Sequence, residues 1–149
     1  MDVELRAPRV GEVEVVAELK AVVMRDDLER LGRYDEVRVR QRLRDEFSEV
    51  YSSVIVMGED IVGSLTVRPY GGGLKVEHLY LDPRHQGRGI GSRVLCEVLA
   101  RADAEGVEVR LTVLRGSAVR GLYERYGFVV EGEDPVDVHM VRVPAASSA

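Results

Sequence analysis

Three glycines fall within five positions, Gly87, Gly89 and Gly91, inside the stretch PRHQGRGIGSRVL (Pro83–Leu95). Arg84, Arg88 and Arg93 surround them, and an apolar run follows. The first N–H groups of a helix have no partner within it and carry partial positive charge. Glycines let a ligand approach such groups closely, and a phosphate suits them. Arg84 and Arg88 would add charge-assisted bonds. The spacing fits a phosphate or pyrophosphate cradle. It fits equally a tight strand-to-helix turn whose arginines face water. Two familiar cradles are disfavoured. A P-loop needs a lysine after its glycines, and none is present. A dinucleotide fold needs the third glycine one residue later and a carboxylate ending the next strand, where Val113 and Leu114 stand.

Such a loop needs a strand to deliver the chain and a helix to receive it. LKVEHLYL (Leu74–Leu81) reads as the strand. Ile90, Val94, Leu95, Val98, Leu99 and Ala102 form one apolar stripe, so the helix runs to about Glu105 and Gly106 ends it. Upstream, Val3–Arg9 alternates as a strand. From Gly11 the period changes, and Val13, Val16, Ala17, Leu19, Lys20 and Val23 suit an amphipathic helix ending near Gly32. Val39, Leu43 and Phe47, four apart, make Tyr34–Val50 a second, highly charged helix. Two β-rich runs flank Gly58-Glu59-Asp60, a hairpin signal, and Gly71-Gly72-Gly73 turns the chain again. Downstream come a strand (VEVRLTVL), a short helix (SAVRGLYERY) closed by Gly127, and two last strands (FVVEG and VDVHMVRV). No repeat or linker appears. The expectation is one α+β domain of mixed sheet over 1–144, with 145–149 a disordered tail.

The glycine stretch resembles the acyl-CoA signature of the GNAT superfamily of N-acetyltransferases, Gln/Arg-x-x-Gly-x-Gly/Ala, which Gln86, Gly89 and Gly91 fill. HLYLDP (His78–Pro83) precedes it where those enzymes have their central strand. LYERYGF (Leu122–Phe128) follows and is similar to their Leu-Tyr-Glu-x-x-Gly-Phe segment. The order of elements also matches, so the resemblance covers nearly the whole chain. It implies a GNAT-like acyl-CoA N-acyltransferase fold. That fold has a central mixed, mostly antiparallel twisted sheet of about seven strands, flanked by about four helices. It implies transfer of an acetyl group from acetyl-CoA to an amine by direct attack in a ternary complex. Leu79, Tyr80 and Leu81 would offer main-chain groups to the pantetheine arm and thioester. Gln86, Gly87, Arg88, Gly89, Ile90, Gly91 and Ser92 would hold the pyrophosphate, and Tyr123 would sit by the sulfur. One departure concerns the pantetheine. The family often has Asn six residues before the Leu of its Leu-Tyr-Glu segment; here Gly116 stands there, and Val119 replaces a common Ala. Ser117 is the substitute at hand.

Acetyl transfer needs a neutral amine, a stabilised oxyanion and a departing thiolate. A lysine-like amine of pKa about 10.4 is neutral in roughly one molecule in 2500 at pH 7, a cost of about 4.6 kcal/mol. Glu77 is the candidate base, on the strand where several relatives place one. Its plain alternative is a surface carboxylate or a partner for Lys75 or Arg110. If Glu77 faces the cleft, His78 faces a helix-covered side, because successive strand residues alternate. Tyr123 is the candidate acid; its alternative is a packed core aromatic. Tyr126 and Phe128 read as packing residues. A backbone N–H from Leu79–Leu81 would meet the oxyanion. His139 lies where some relatives line the acceptor pocket, although a lone strand His is more often structural or half exposed. His85 reads as solvated. Asp35, Glu36, Asp45 and Glu46 lie on the second helix, which often walls the acceptor site. They would attract a cation there, or form a solvated face among Arg38, Arg40, Arg42 and Arg44.

The remaining bounds are broad. The chain has 149 residues, 45% apolar and 32% charged, with net charge −5, which disfavours nucleic acid. Cys96 is the only cysteine, flanks the apolar stripe and has no neighbouring His, so no internal disulfide, cysteine-based metal site or covalent thiol route is expected. No metal is expected. The first ten residues carry no apolar signal core and no run of 18 apolar residues occurs, so the expectation is a soluble, cytoplasmic protein without a membrane partner. The expected partners are acetyl-CoA and a small-molecule or peptide amine, with a homodimer possible. The competing function is a non-catalytic acyl-CoA-binding or sensing domain; nucleotide binding without CoA is a weaker third.

Overall fold

Pro8 has no N–H to give to a ladder, and the first strand stops earlier than its alternation predicts. The computed structural model describes residues 3–145 and runs β1 (Val3–Arg6), α1 (Val13–Arg30), α2 (Glu36–Glu46), β2 (Ser52–Met57), β3 (Asp60–Tyr70) and β4 (Gly73–Leu81). A 3-10 turn (Pro83–His85) leads to α3 (Ile90–Glu105), β5 (Val109–Leu114), α4 (Arg120–Arg125), β6 (Val129–Glu133) and β7 (Asp137–Arg142). The seven strands form one sheet in the order β1-β2-β3-β4-β5-β7-β6. β4 and β5 pair parallel, whereas β1–β2, β2–β3, β5–β7 and β6–β7 pair antiparallel. The expected α+β fold with a mixed, mostly antiparallel sheet and four helices is the observed one. The chain clusters into two units. The first holds the chain up to Thr66 together with His78–Gly91, and the second holds Val67–Glu77 and the chain from Ser92 on.

In the first unit, Glu12 ties the end of β1 to the start of α1. It accepts both guanidinium nitrogens of Arg6 at 2.8 Å and the Arg9 N–H at 2.6 Å. α1 closes as its glycine predicts: Gly32 has φ +69 and the Arg33 N–H reaches the Leu28 carbonyl at 2.8 Å. α2 is shorter than the predicted Tyr34–Val50. Asp35 is its N-cap, accepting from the Val37 and Arg38 N–H groups at 3.0 and 2.8 Å, and Phe47 is already extended. Asp35 is therefore no part of a cation-attracting helix face. Arg40 and Arg44 pair with Glu18 and Glu14 and join α2 to α1. Beneath these pairs Val16, Ala17, Leu43, Val54 and Val56 form an apolar core, on which Phe47 and Tyr80 pack. Each Val or Leu fully buried there contributes about 1.5–3 kcal/mol.

The β2–β3 hairpin turns on Gly58 and Glu59, since Met57 already pairs with Asp60. A register shift between Ile55 and Val56 sets Ile55 opposite Gly63 and Val56 opposite Ile61. Gly63 allows a close crossing. A Cβ there would lie 2.4 Å from the Tyr80 carbonyl oxygen. Around that crossing the Asp82 N–H reaches the Val62 carbonyl at 2.8 Å, and the Ser64 hydroxyl donates to the His78 carbonyl at 2.7 Å.

In the second unit, β4 and β5 pair through Leu74↔Val109 and Lys75↔Arg110. The α3 stripe Val94, Leu95, Val98, Leu99 and Ala102 is buried as its periodicity predicts. α4 starts at Arg120 rather than Ser117, because Gly116 takes φ +80 and the chain turns before the helix begins. Gly127 has the left-handed φ expected of it, +94, and the Phe128 N–H reaches the Tyr123 carbonyl at 3.1 Å. Arg142 binds Asp103 through both terminal nitrogens, at 2.9 and 3.1 Å, and the Ala145 N–H joins the same carboxylate. Of the expected tail, residues 146–149 lie outside the described residues.

Candidate active site

The loop that joins β4 to α3 lies wholly in the first unit, together with Leu79, Tyr80 and Leu81. Pro83 opens its 3-10 turn, and the Asp82 side chain caps that turn through the Arg84 N–H at 2.9 Å. The Gln86 side chain donates to the Leu81 carbonyl at 3.0 Å and closes the loop on the end of β4. Gln86, Gly87, Arg88 and Gly89 are exposed, and Ile90 is buried and anchors the first turn of α3. Gly87 and Gly89 both stand at φ +78, where an L side chain is strained. Gly91 differs. It has no positive φ, and an added Cβ would only touch a Leu81 methyl at 3.7 Å. Geometry thus demands glycine at 89 and tolerates alanine at 91, as the Gly-x-Gly/Ala pattern states. The helix behind the loop spans 16 residues, and its first N–H groups suit an anion.

Two expectations about this loop need correction. Arg84 was expected to add charge for a phosphate. It folds back instead on Asp82, at 2.9 and 3.2 Å, because that carboxylate lies two residues away and already caps the turn. The pair holds Asp82 at a pKa of about 2 and raises Arg84. Arg88 has no such carboxylate neighbour in the loop sequence. His85 was expected in water. It is half-buried, with Nδ1 covered and without a hydrogen-bond partner among the described residues, because the turn closed by its N–H to the Asp82 carbonyl folds the ring inward.

The other predicted residues belong to the second unit. Ser92 is half-buried in the first turn of α3. Ser117 lies in the turn before α4, and its hydroxyl accepts the Val119 N–H at 3.4 Å. Glu77 forms an ion pair with Arg68 of β3. This differs from the expected partners. Lys75 lies 5.1 Å from the centre of the Tyr70 ring, and Arg110 binds Glu108 and Glu131. Protonating Glu77 would cost that ion pair. Tyr123 is 5% exposed, edge-on to Phe128 with ring centres 5.6 Å apart, and burial pushes its hydroxyl to a pKa of about 12. His139 is half exposed, 3.0 Å from the Thr112 hydroxyl and 3.8 Å from Asp134. Cys96 is exposed.

On α2, Glu36 is exposed, Asp45 accepts from Gln41 and Glu46 approaches His78 at 3.5 Å. His78 lies against Glu46 of α2 and is buried. What the sequence left unread is that it has φ +51 and lies 3.1 Å from the Tyr80 hydroxyl. Among the described residues no group of three or more His, Cys, Asp or Glu is placed to hold a metal ion, and no helix is long and apolar enough to cross a membrane.

The family described as acetyltransferase (GNAT) domain matches residues 23–145 of the chain. No curated protein matches the chain's sequence. Solved structures share the fold. One is the PaiA N-acetyltransferase of Thermoplasma acidophilum in complex with coenzyme A, with TM-score 0.77 and 21% identity, covering 96% of this chain and 99% of that one. Another is the ribosomal-protein-S18-alanine N-acetyltransferase of Escherichia coli, with TM-score 0.73 and 13% identity over 99% of this chain and 97% of that one. An acetyltransferase of Thermus thermophilus gives TM-score 0.73 and 18% identity over 96% and 97%.

Proposed function

The chain belongs to the GNAT acetyltransferase family, and on that premise we propose that it moves an acetyl group from acetyl-CoA to an amine by direct attack within a ternary complex. The observation that carries this reading is the loop Gln86–Gly91. It opens on a 16-residue helix, holds two glycines at φ +78, and is joined to the strand end Leu79–Leu81 by one 3-10 turn. Acetyl-CoA supplies an activated thioester and a pyrophosphate handle. In this reading the loop's N–H groups, from Gln86 to Ser92, bind the pyrophosphate, with Arg88 as the cation beside them. The main chain of Leu79, Tyr80 and Leu81 binds the pantetheine arm, and one of its N–H groups meets the oxyanion. Ser117 stands in for the missing Asn, and the Tyr123 hydroxyl faces the departing sulfur. Glu77 is the base that the sequence nominates, and its ion pair with Arg68 weighs against that role.

The acceptor is a small-molecule or peptide amine. Structures of this fold include one named for a ribosomal protein's alanine and one named a putative phosphinothricin N-acetyltransferase, which supports keeping both kinds in the reading. The competing reading is a domain that binds acyl-CoA without turnover, which the absent Asn at Gly116 favours.

Calorimetric titration with acetyl-CoA, with ADP as control, tests the first step. Micromolar binding, much tighter than for ADP, is expected, followed by thiol release with a panel of amines. No binding at millimolar acetyl-CoA removes the enzyme reading. Tight binding with no thiol release from any amine favours the sensing domain.

A further inference from the structure

His78 is the one non-glycine residue with positive φ among the described residues, at +51 in the middle of β4. An imidazole-bearing residue persists in that region only where its surroundings hold it. Here the Ser64 hydroxyl holds its carbonyl at 2.7 Å, and its side chain is 5% exposed. Nδ1 lies 3.1 Å from the Tyr80 hydroxyl, and Nε2 lies 3.5 Å from Oε2 of Glu46, the last residue of α2. The Glu46 side chain is 48% exposed and Tyr80 is half-buried. The imidazole therefore stands between a half-exposed carboxylate and a phenol, all within the first unit. Lys20 of α1 is buried beside them. Burial lowers its pKa, Glu46 opposes that, and Arg42 adds to it. Glu46 and Tyr80 contact this imidazole, and Lys20 couples electrostatically to Glu46 and Arg42.

We infer that Tyr80, His78 and Glu46 form a proton relay that carries the ammonium proton of the acceptor to water. This rests on the acetyltransferase reading, in which the main chain of Tyr80 binds the thioester arm. A carboxylate beside Nε2 favours a proton on that nitrogen, which leaves Nδ1 to accept from the Tyr80 hydroxyl. An N–H bond of the ammonium breaks and an O–H bond forms on Tyr80. The original Tyr80 O–H bond breaks, and an N–H bond forms at Nδ1. The amine is left neutral and His78 becomes an imidazolium, which Glu46 stabilises. The Nε2 proton then leaves through the half-exposed Glu46 to water. After product has left, the Nδ1 proton returns to the Tyr80 oxygen as the Tyr80 hydroxyl proton passes to water in the emptied site. Nε2 takes a proton back from water through Glu46, which restores the starting tautomer. Tyr80 is the catalytic residue, touching the amine; His78 and Glu46 act through it. Glu77, held by Arg68, is not needed.

His78→Gly keeps the backbone angle, which glycine adopts freely, and leaves a hole the size of an imidazole. Tyr80→Phe removes only the hydroxyl. With an amine that the wild type acetylates, both variants should lose about a hundredfold in kcat with acetyl-CoA affinity by calorimetry unchanged. Added imidazole should restore part of the His78→Gly loss, and the acidic limb of the pH profile should move in both. Independently of turnover, the titration of His78 followed by NMR should fall by about one pH unit in Glu46→Gln, because the imidazolium loses its carboxylate. Wild-type kcat in Tyr80→Phe, or a His78→Gly loss that imidazole does not restore with an unmoved pH limb, overturns the relay. So does an unshifted His78 titration in Glu46→Gln, even if no amine is acetylated and the transferase reading itself fails.

Discussion

Gly63 is where the packing of the sheet and the proposed thioester seat constrain each other. A Cβ at this position would stand 2.4 Å from the Tyr80 carbonyl oxygen, and ordinary contact begins at 3.4 Å, so the carbonyl would have to retreat by 3.4 − 2.4 = 1.0 Å. It is not free to do so, because β4 is held on either side. The Asp82 N–H bonds the Val62 carbonyl and the Ser64 hydroxyl bonds the His78 carbonyl. Overpacking costs about 1–3 kcal/mol, and a strained or lost hydrogen bond adds about 0.5–1.5 kcal/mol. Gly63→Ala should therefore lower the melting temperature by roughly 5–15 °C for a chain of this size. An ångström's displacement of Leu79–Leu81 should lower turnover about a hundredfold. Gly121→Ala is the control, on exposed α4 with nothing within 4 Å of the added Cβ, and should match or exceed wild-type stability. Thermal unfolding by circular dichroism and thiol release measure both effects. A Gly63→Ala protein that melts within about a degree of wild type would falsify the close crossing. One that melts low but turns over normally would sever the crossing from the site.

In the loop, Gly89→Ala should cost about 1–2 kcal/mol for a side chain at φ +78, and Gly91→Ala should be neutral or stabilising. Equal losses in thermal unfolding would contradict the difference in their backbone angles. In acid, Arg6 holds Glu12 and Arg84 holds Asp82 at about 2, below their unfolded values. Their stabilisation is complete above a pH of about 4.5 and lost as pH falls toward 2, so urea midpoints should drop over that window, less steeply in Glu12→Gln. In alkali the sign reverses. Tyr123 titrates at about 12 in the fold against 10.0 as its ordinary value, so its contribution is complete below pH 10 and lost as pH rises to 12. Tyr123→Phe should flatten that decline, depress turnover strongly and leave acetyl-CoA affinity unchanged; an unaltered alkaline slope would deny the burial.

What the sequence disclosed followed the range of the interaction that decides each feature. Gly32, Gly106 and Gly127 end helices because glycine itself advertises a left-handed backbone, and all three take positive φ. The α3 stripe was legible because burial repeats with the helix. α2 was drawn too long because Leu43 and Phe47 keep helical spacing across an end that backbone geometry, not apolarity, decides. The Asp35 cap was legible in residue type, although the periodic run that reached back to Tyr34 hid it. The partner of Glu77 depends on which residue of β3 comes beside it, and nothing local specifies that. His78 is the sharpest case, since no residue type but glycine announces a positive φ. The glycine loop carries both its conformation and its likeness to a cradle in its letters, whereas the charge of Arg84 goes to Asp82, a partner two residues away that the spacing of arginines around the glycines does not reveal.

The two protons of the proposed reaction meet different obstacles. A thiolate leaving group has a reference pKa of about 8.5, and Tyr123 at about 12 lies some 3.5 units above it. Full transfer from Tyr123 to sulfur would run uphill. In the role proposed for it, this tyrosine therefore keeps its proton and donates a hydrogen bond, worth about 1.5–3 kcal/mol against a charged partner, while the thiolate departs and is protonated in water. The candidate base faces a different obstacle, since Glu77 is engaged in an ion pair with Arg68. On this reading neither residue of the pair that the sequence nominates completes a proton transfer. One donates to a charge, and the other is held by one. The amine must nonetheless lose a proton before it can attack. In the unit that holds the loop and Leu79–Leu81, the imidazole of His78, between the Tyr80 hydroxyl and the Glu46 carboxylate, is the base within reach of that strand end.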